Sequence, residues 1–485
     1  MTALRVAACR VAVRVPVANA FTSLRLFSTT KAMTVKQPHV VVVGGAYAGL
    51  AALNSLISLS NGHGHPAGKK RPAAPAGSAH AMSGPPRGPP LEAPDVSRAL
   101  RIKPRYTLLD VRDGFYHSVG APLGQISPSH GREFWVKYDE IMRTKYASDP
   151  VDFVQGSAFA LDTASKTLRY RPTGKSVDQT LSYDFLVVAS GMSREWPILP
   201  RSLDYDTYVS DTESFENELK PCSRIVLVGG GACGIEMSAE MKVHFPEKEI
   251  ILIHSRSDLL SREPLSDEFK AIALQLLREQ GVDVRLNTRL LNESASGSKR
   301  MLELSTGETL ECDKVVYTAV QQGPNTGFVP EQALDEQGYV KVRDTFQFAA
   351  TVPNADAHYA VGDVARWTGI KRSGPAMAQG KLAATNIVTS LIALEDGKAI
   401  EDAELVSAPP SRPTMTLAIG EQAIGMRAGL RYGREVKDRA FGTGLGIDGT
   451  LENLGLRPRR RKEVAGEDEA SMPSLRPSLA ATASI

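Results

Sequence analysis

The chain has 485 residues, of which 42% are hydrophobic and 23% charged, and its formal net charge is +3. This composition is typical of an ordinary globular protein of about three domains, and the small net charge gives no indication of a nucleic-acid partner. No stretch approaches 18 consecutive apolar residues, which excludes a transmembrane helix.

The N-terminal segment has the composition of a targeting sequence. Residues 1–32 contain five basic side chains and no acid, with Ser, Thr and apolar residues between them. A mitochondrial presequence has this composition because it must form a basic amphipathic helix. The alternative is an unstructured extension upstream of a start at Met33, which would leave the protein in the cytoplasm. We predict the mitochondrial location.

A first glycine-containing loop follows a β-branched run that ends at Val43. The loop is an imperfect dinucleotide-binding fingerprint, with Ala46 where the middle glycine is expected. In such a loop, backbone N–H groups at the start of a helix bind a pyrophosphate. One extra methyl group costs only part of that approach, so we keep the assignment. The residues assigned to this site are Gly44, Gly45, Ala46, Tyr47, Ala48 and Gly49.

The first unit is interrupted by a low-complexity segment, residues 61–100, rich in Pro, Gly, Ala and Ser. When this segment is set aside, the strand Arg105–Asp110 falls at the spacing of a βαβ unit. Asp110 then stands at the tip of the second strand, where a carboxylate accepts hydrogen bonds from an adenosine ribose. The alternative is an ordinary aspartate in a strand-end turn.

Short elements are predicted between this unit and the next. They are a helix starting near Arg132, three short strands over 151–156, 158–162 and 167–170, and a buried parallel strand over 184–191. The last strand ends in Ala189-Ser-Gly191, whose small side chains let the backbone pass close to a cofactor. We add Ala158, Ser190 and Gly191 to the first site.

The chain is organised around a complete fingerprint in residues 224–240. An apolar strand runs into Gly229-x-Gly231-x-x-Gly234 and then into a helical pattern. A second strand ends at His254, near the spacing at which a ribose-binding residue is expected. No acid stands there and Arg256 follows, so a 2′-phosphate is tolerated. The alternative is that Arg256 is a solvated surface charge.

Glu236 lies on the first turn of the second predicted helix. A carboxylate there suits the positive end of the helix dipole, and it could equally contact a nicotinamide. The residues assigned to the second site are Gly229, Gly231, Gly234, Glu236, His254 and Arg256.

The chain then returns to the first unit. A strand over 358–363 ends in Gly362-Asp363, ahead of a helix that begins near Pro375. Asp363 is predicted to bind cofactor, with a simple helix cap as the alternative. A basic run, Arg457–Lys462, lies beside acids and predicts a solvated tail rather than nucleic-acid contact.

Several stretches together resemble a known family. The two fingerprints, and residues 110–117, 228–240, 245–255 and 359–363, are similar to the apoptosis-inducing-factor-like flavoproteins of the pyridine nucleotide-disulfide oxidoreductase superfamily. Within that group the likeness is to the AMID type, which includes ferroptosis suppressor protein. The resemblance implies an α/β fold of two Rossmann-like domains, with the NAD(P) domain nested in the FAD domain and a small C-terminal domain.

The resulting domain plan has six parts. They are a leader over 1–37, a first FAD part over 38–220, an NAD(P) domain over 221–340, a second FAD part over 341–405, a C-terminal domain over 406–455 and a tail over 456–485.

The resemblance also implies an activity. FAD would occupy the first site and NADH or NADPH would be the co-substrate, with no side chain required as nucleophile or base. The acceptor would be a quinone such as ubiquinone, met through peripheral contact with a membrane. Asp110 and Asp363 match FAD-site positions, Glu236 matches the nicotinamide site, and Lys437 matches a basic position near the flavin.

The cysteines bear on the route of the electrons. The four cysteines contain no close pair and no zinc spacing, whereas disulfide reductases on this fold carry a close pair after the first fingerprint. Electrons are therefore expected to leave the flavin directly, and Cys233 is expected to be a packing residue. Two other functions stay open: a reductase of a protein electron carrier, and a pro-death or nucleic-acid-binding flavoprotein. The oligomeric state is not indicated.

Overall fold

The computed structural model describes residues 36–65, 96, 98–319, 321–426 and 429–456. The predicted presequence, most of the low-complexity segment and the predicted tail fall in 1–35, 66–95 and 457–485, outside the described residues. The elements below all belong to one unit that begins at Gln37.

The first part of the chain contains both strands and helices, as expected of a parallel sheet with crossover helices. The elements are β1 (His39–Val43), α1 (Tyr47–Ser60), β2 (Arg105–Asp110), β3 (Gly114–Tyr116), α2 (Ala121–Gly124), α3 (Pro128–Glu133), β4 (Trp135–Lys137), α4 (Tyr138–Lys145), β5 (Val151–Asp162), β6 (Thr167–Pro172), β7 (Gln179–Ser182), β8 (Phe185–Val188), β9 (Met192–Arg194) and α5 (Tyr205–Leu219).

The middle of the chain contains β10 (Arg224–Val228), α6 (Ala232–His244), β11 (Glu249–Ile253), α7 (Asp267–Glu279), β12 (Asp283–Arg285), β13 (Leu290–Ser296), β14 (Lys299–Leu304), β15 (Thr309–Cys312) and β16 (Lys314–Tyr317). The last part contains β17 (Gln321–Pro324), β18 (His358–Ala360), α8 (Ser373–Glu395), β19 (Thr416–Ile419), β20 (Gln422–Met426), β21 (Leu430–Gly433), α9 (Arg434–Ala440) and α10 (Ile447–Asn453).

The chain builds its largest sheet from both of its halves. This seven-stranded sheet has the order β18-β8-β1-β2-β5-β6-β7. Strands β18, β8, β1, β2 and β5 are parallel, and β6 and β7 are antiparallel. Strand β18 comes after the whole second sheet in the chain, so the second unit is nested inside the first. The predicted α/β architecture is confirmed.

The second sheet is parallel throughout, in the order β12-β11-β10-β16. After their first residue, its central strands β10 and β11 are apolar, as expected for a parallel sheet that is covered on both faces. Val226 and Ile251 are completely buried. A separate antiparallel sheet of β19, β20 and β21 forms the C-terminal region.

Helices α1 and α8 lie against each other beneath the large sheet. They approach closely because Gly380 has no side chain: an added Cβ would overlap with the carbonyl oxygen of Ala48. Both helices begin at the same cavity, which Ala48 and Ser373 line. Their packing therefore fixes two helix N-termini at one site.

Some local predictions were wrong in their boundaries. The helix predicted near Arg132 is instead the end of α3, followed by β4, because residues 135–137 pair with β3. The two strands predicted over 151–162 form the single strand β5, which pairs with β2 before Gly156 and with β6 from Gly156 onward. Strand β7 was not predicted.

Candidate functional site

The first glycine loop connects β1 to α1 and depends on two glycines. Gly44 has φ +98°, its N–H donates to the carbonyl of Leu109 at 2.8 Å, and an added Cβ would overlap with the backbone of Ala189. A Cβ on Gly49 would overlap with the carbonyl oxygen of Gly44. These two positions let the helix begin directly against the strand.

The middle position of the first loop is the N-cap of α1. Ala46 has φ −90° and ψ −154°, an extended conformation that alanine adopts without strain, and no side chain caps the helix. The N–H groups of the first turn are therefore available to an anion. Alanine here does not disturb the loop.

The second glycine loop repeats this construction between β10 and α6. Gly229 has φ +128° and donates its N–H to the carbonyl of Ile253 at 2.9 Å. A Cβ on Gly234 would overlap with the carbonyl oxygen of Gly229, whereas a Cβ on Gly231, the N-cap of α6, would meet no atom within 4 Å. The middle glycine thus faces open space.

Each loop is held by a side chain at the end of the neighbouring strand. The N–H of Gly45 donates to Oδ2 of Asp110 at 2.6 Å, and the N–H of Gly230 donates to Nδ1 of His254 at 3.1 Å. Asp110 and His254 each directly follow the residue whose carbonyl binds the first glycine of the loop. The two residues therefore occupy equivalent places.

Burial shifts the pKa of both side chains toward the neutral form. It raises the pKa of Asp110, against the lowering effect of N–H groups from Gly45 and Arg112. It lowers the pKa of His254, as does the charge of Arg256 to a smaller extent. Because Nδ1 of His254 accepts a hydrogen bond, the proton of the neutral ring sits on Nε2, which lies 3.3 Å from the Ser261 hydroxyl.

A cavity of about 1350 Å³ is lined both by residues around the first glycine loop and by residues at the start of α6. Of the residues assigned from sequence, it is lined by Gly44, Ala46, Tyr47, Ala48, Asp110, Ala158, Ser190, Gly191, Glu236, Gly362 and Asp363. The assigned residues that do not line it are Gly45, Gly49, Gly229, Gly231, Gly234, His254, Arg256 and Lys437.

Four of the eight residues that do not line the cavity have a packing role in the glycine loops. Gly45, Gly49, Gly229 and Gly234 pack the two loops. Arg256 is exposed on the loop after β11.

The segment that follows β18 contributes Gly362 and Asp363 to the cavity wall. Gly362 has φ +77° and donates its N–H to the side-chain oxygen of Gln379 at 2.7 Å. Asp363 lies 4.0 Å from the guanidinium of Arg194. Burial raises the pKa of Asp363, and the charges of Arg194 and Lys371 lower it. Sequence reasoning missed Gln379, Arg194 and Lys371, although Gln379 lies in the helix that was predicted to begin near Pro375.

A buried hydrogen-bond chain joins the first loop to the C-terminal region. The hydroxyl of Tyr47 accepts the N–H of Val119 at 3.1 Å and lies 3.0 Å from Nδ1 of His117, whose Nε2 lies 3.0 Å from the Leu445 carbonyl. A carbonyl only accepts, so Nε2 carries the proton and Tyr47 donates to Nδ1. Burial lowers the pKa of His117 to about 4, which keeps the ring neutral.

Glu236 and Lys437 belong to a buried cluster between α6 and the C-terminal sheet. Glu236 lines the cavity and accepts the N–H of Ala418 at 3.4 Å, and burial raises its pKa to about 8. Lys437 binds Oε1 of Glu240 at 3.0 Å and donates to the carbonyl of Gly420 at 2.8 Å. Lys437 does not line the cavity, and its charge lowers the pKa of Glu236, which does.

The cysteines of the described residues are all free thiols. Cys233 lines the cavity, and burial raises its pKa, while Cys222 and Cys312 are buried elsewhere. Within the described residues we find no cluster of side chains able to hold a metal ion. Among the described helices, none has the length and apolar character of a membrane span.

The cavity has room for more than one small ligand. Its volume exceeds the roughly 300–1,000 Å³ of an ordinary small-molecule pocket. Gly191 and Gly374 line it, and a Cβ at either position would meet no protein atom within 4 Å and would take up ligand space. The residues present therefore fit FAD at the first loop, and they leave space for a second ligand at the start of α6, where Ala232 and Cys233 line the cavity.

The comparisons with known proteins agree with this geometry. The oxidoreductase OXR1 of Ajellomyces capsulatus is 34% identical over 429 residues, 87% of this chain and 88% of the relative. Ferroptosis suppressor protein 1 of Xenopus tropicalis is 25% identical over 341 residues, 68% of this chain and 84% of the relative.

Among solved structures, the sulfide:quinone oxidoreductase of Aquifex aeolicus has the same fold, with a TM-score of 0.58 at 16% identity, over 86% of this chain and 92% of that chain. The family model for pyridine nucleotide-disulphide oxidoreductases matches residues 38–380. The chain therefore belongs to the pyridine nucleotide-disulphide oxidoreductase family.

Proposed function

We propose that this protein is an FAD-dependent oxidoreductase that takes hydride from NADH or NADPH and passes electrons to a quinone, as a member of the AMID and ferroptosis suppressor type. The observation that supports this most is the cavity itself. It is continuous from Ala46 of the first loop to Ala232, Cys233 and Glu236 of α6. Two dinucleotides bound at these loops would meet inside one cavity.

The residues of the first unit would bind FAD through its phosphates and sugars. The free N–H groups after Ala46 suit the pyrophosphate, and the carboxylates of Asp110 and Asp363 line the cavity as acceptors for hydroxyl groups. FAD, when bound, would supply the acceptance of hydride and its release as electrons. The chain's own task is then to hold, orient and exclude water.

The cysteine pattern supports an external electron acceptor. Cys233 is the cysteine among the described cavity-lining residues, and no disulfide is found in the described chain. A second thiol for a dithiol relay is thus missing from the described walls, although the family takes its name from such a relay. The likeness to ferroptosis suppressor protein 1 favours a quinone as the acceptor.

The second unit is suited to NADPH as well as NADH. The ribose-binding position holds His254, whose lowered pKa keeps it neutral, where an NAD-preferring site would place a carboxylate. No negative charge at that position repels a 2′-phosphate, and Arg256 stands exposed two residues further along.

Anaerobic stopped-flow absorbance on the purified holoprotein tests the proposal. We expect the flavin band to bleach on mixing with NADH or NADPH and to recover on mixing with a soluble ubiquinone analogue. Bleaching followed by reoxidation only with an oxidised electron-carrier protein such as ferredoxin would redirect the function to carrier reduction. A band that neither nicotinamide bleaches would contradict the oxidoreductase activity and favour a structural flavin.

A further inference from the structure

Arg194 lies where the two dinucleotide-binding units meet. It is the last residue of β9, which comes directly after β8 of the large sheet in the chain. Strand β9 pairs with β17, which comes directly after β16 of the second sheet. Its side chain lines the cavity and is 31% exposed. This strand pair therefore places the guanidinium of Arg194 at the cavity.

The guanidinium touches both sites at once. Nη1 lies 3.8 Å from Sγ of Cys233, and Nη2 lies 4.0 Å from Oδ2 of Asp363. The first contact is with the start of α6, and the second is with the carboxylate assigned to the FAD side. At 4.0 Å the pair with Asp363 is an ion pair without a short hydrogen bond, so the guanidinium can be drawn away at little cost.

The start of α6 is a place where an anion is expected but incompletely neutralised. Cys233 is the second residue of the helix, whose N-cap Gly231 has open space beside it and gives no side-chain cap. The helix dipole supplies only about half a positive charge, whereas a pyrophosphate carries about two negative charges. Glu236 and Glu263 nearby add carboxylates, and the charge of Arg194 lowers the pKa of each.

We propose that Arg194 binds the pyrophosphate of the nicotinamide dinucleotide at the N-terminus of α6, and that it leaves Asp363 to do so. This rests on the proposed function. The planar guanidinium suits a pyrophosphate because it can donate two parallel hydrogen bonds. The FAD side and the nicotinamide side then share one cation, which turns from the carboxylate to the phosphates when the second dinucleotide binds.

The test is direct binding to the oxidised FAD-loaded protein, which needs no turnover. NAD⁺ and ADP-ribose are titrated calorimetrically into wild type, Arg194→Ala, Arg194→Gln and Arg194→Lys, and bound FAD is measured for each. We expect both ligands to bind roughly ten- to hundred-fold more weakly to the Ala and Gln variants, with partial recovery in Lys and unchanged FAD. Wild-type affinity should fall more steeply with salt than that of the Ala variant.

ADP-ribose carries the pyrophosphate without the nicotinamide, so it locates the contact. A loss for NAD⁺ alone would place Arg194 on the nicotinamide and overturn the proposal. Unchanged affinity for both ligands, or loss of FAD from both the Gln and the Lys variants, would overturn it as well. Arg143→Ala, which removes an exposed guanidinium from α4, is the matched control and should bind both ligands as wild type does.

The outcome is separable from that of the proposed function. A wild-type protein that binds NAD⁺ through Arg194 yet never reduces a quinone would contradict the quinone assignment and support the role of Arg194. A wild-type protein that binds neither NAD⁺ nor ADP-ribose would overturn both.

Discussion

The two glycine loops share one backbone construction and differ in the side chains around it. In both, the first glycine donates its N–H to the neighbouring strand, and the last glycine has no room for a Cβ against the carbonyl of the first. Gly44 and Gly49 of the first loop therefore correspond to Gly229 and Gly234 of the second. Packing of a helix directly onto a strand requires these four glycines, whichever dinucleotide binds.

The differences lie at the positions that face a ligand. The middle residue is Ala46 in the first loop and Gly231 in the second, and the strand-end residue is Asp110 in the first and His254 in the second. Two residues past the last glycine, α1 carries the buried Ala51, whereas α6 carries Glu236. The two loops therefore have the same turn geometry and differ in the side chains that surround the turn.

The largest effect is expected where the backbones touch. Gly49→Ala and Gly234→Ala each force a Cβ into a carbonyl oxygen, an overpacking that costs on the order of 3 kcal/mol. We expect the first to lose bound FAD, and the second to keep FAD but lose bleaching by NADH, as measured by flavin content and stopped-flow absorbance. Loss of both ligand sites in both variants would show that the two loops are not independent.

The next effect tests the strand-end position of the first loop. Asp110→Asn keeps an acceptor for the N–H of Gly45 but removes the charge, and a hydrogen bond to a charged group is worth about 1.5–3 kcal/mol. We expect FAD to dissociate roughly ten-fold or more faster, measured by flavin fluorescence on dilution. His254→Asn, its counterpart in the second loop, should leave FAD dissociation unchanged; faster dissociation there would break the equivalence.

Much of this comparison could be predicted from sequence because its signals are local. The glycine spacings, the apolar strands before them and Asp110 after β2 all lie in short continuous stretches, and β2 was predicted with its bounds. The nested order was implied by the resemblance to a known family, which rests on the two fingerprints. These features depend on neighbours in the chain, which a single sequence shows.

The remaining parts of the site depend on contacts between distant residues. His117 meets the carbonyl of Leu445, 328 positions away, and Arg194 meets Asp363 through the fold alone. Lys437 was expected near the flavin from a resemblance, which indicates a neighbourhood but not a partner. Its partner, Glu240, lies on α6, 197 positions away in the chain, and neither residue lines the cavity.

The carboxylate on α6 gives the second loop a pH dependence. Burial raises the pKa of Glu236 from 4.5 to about 8, so the folded protein holds this proton more tightly than the unfolded chain. The stabilisation from this group is complete below pH 4.5 and is lost as pH rises toward 8. We expect Glu236→Gln to lose less thermal stability than wild type across that window, measured by melting temperature; parallel curves would contradict the raised pKa.

A smaller effect is expected when the middle residues are exchanged. Ala46→Gly should change melting temperature and FAD content little, because the position is extended and glycine at an N-cap costs at most a few tenths of a kcal/mol. Gly231→Ala should also fold normally, since its Cβ would meet no protein atom within 4 Å, but the methyl group would stand in the approach to the phosphates. A raised KM for NADH with unchanged melting temperature would sharpen the distinction, and a lowered melting temperature would contradict it.

The smallest effect concerns which nicotinamide the second loop prefers. Arg256 is exposed, and an exposed ion pair is worth only about 0–1 kcal/mol, so Arg256→Ala should raise the KM for NADPH by a few-fold and leave that for NADH nearly unchanged. Steady-state kinetics with both nucleotides measures this ratio. His254→Asp would add the carboxylate that the first loop already has in Asp110, and it should weaken NADPH further by repelling the 2′-phosphate. If the two nucleotides respond equally to both substitutions, the strand-end position does not bind this ribose, and the correspondence between Asp110 and His254 is one of backbone support alone.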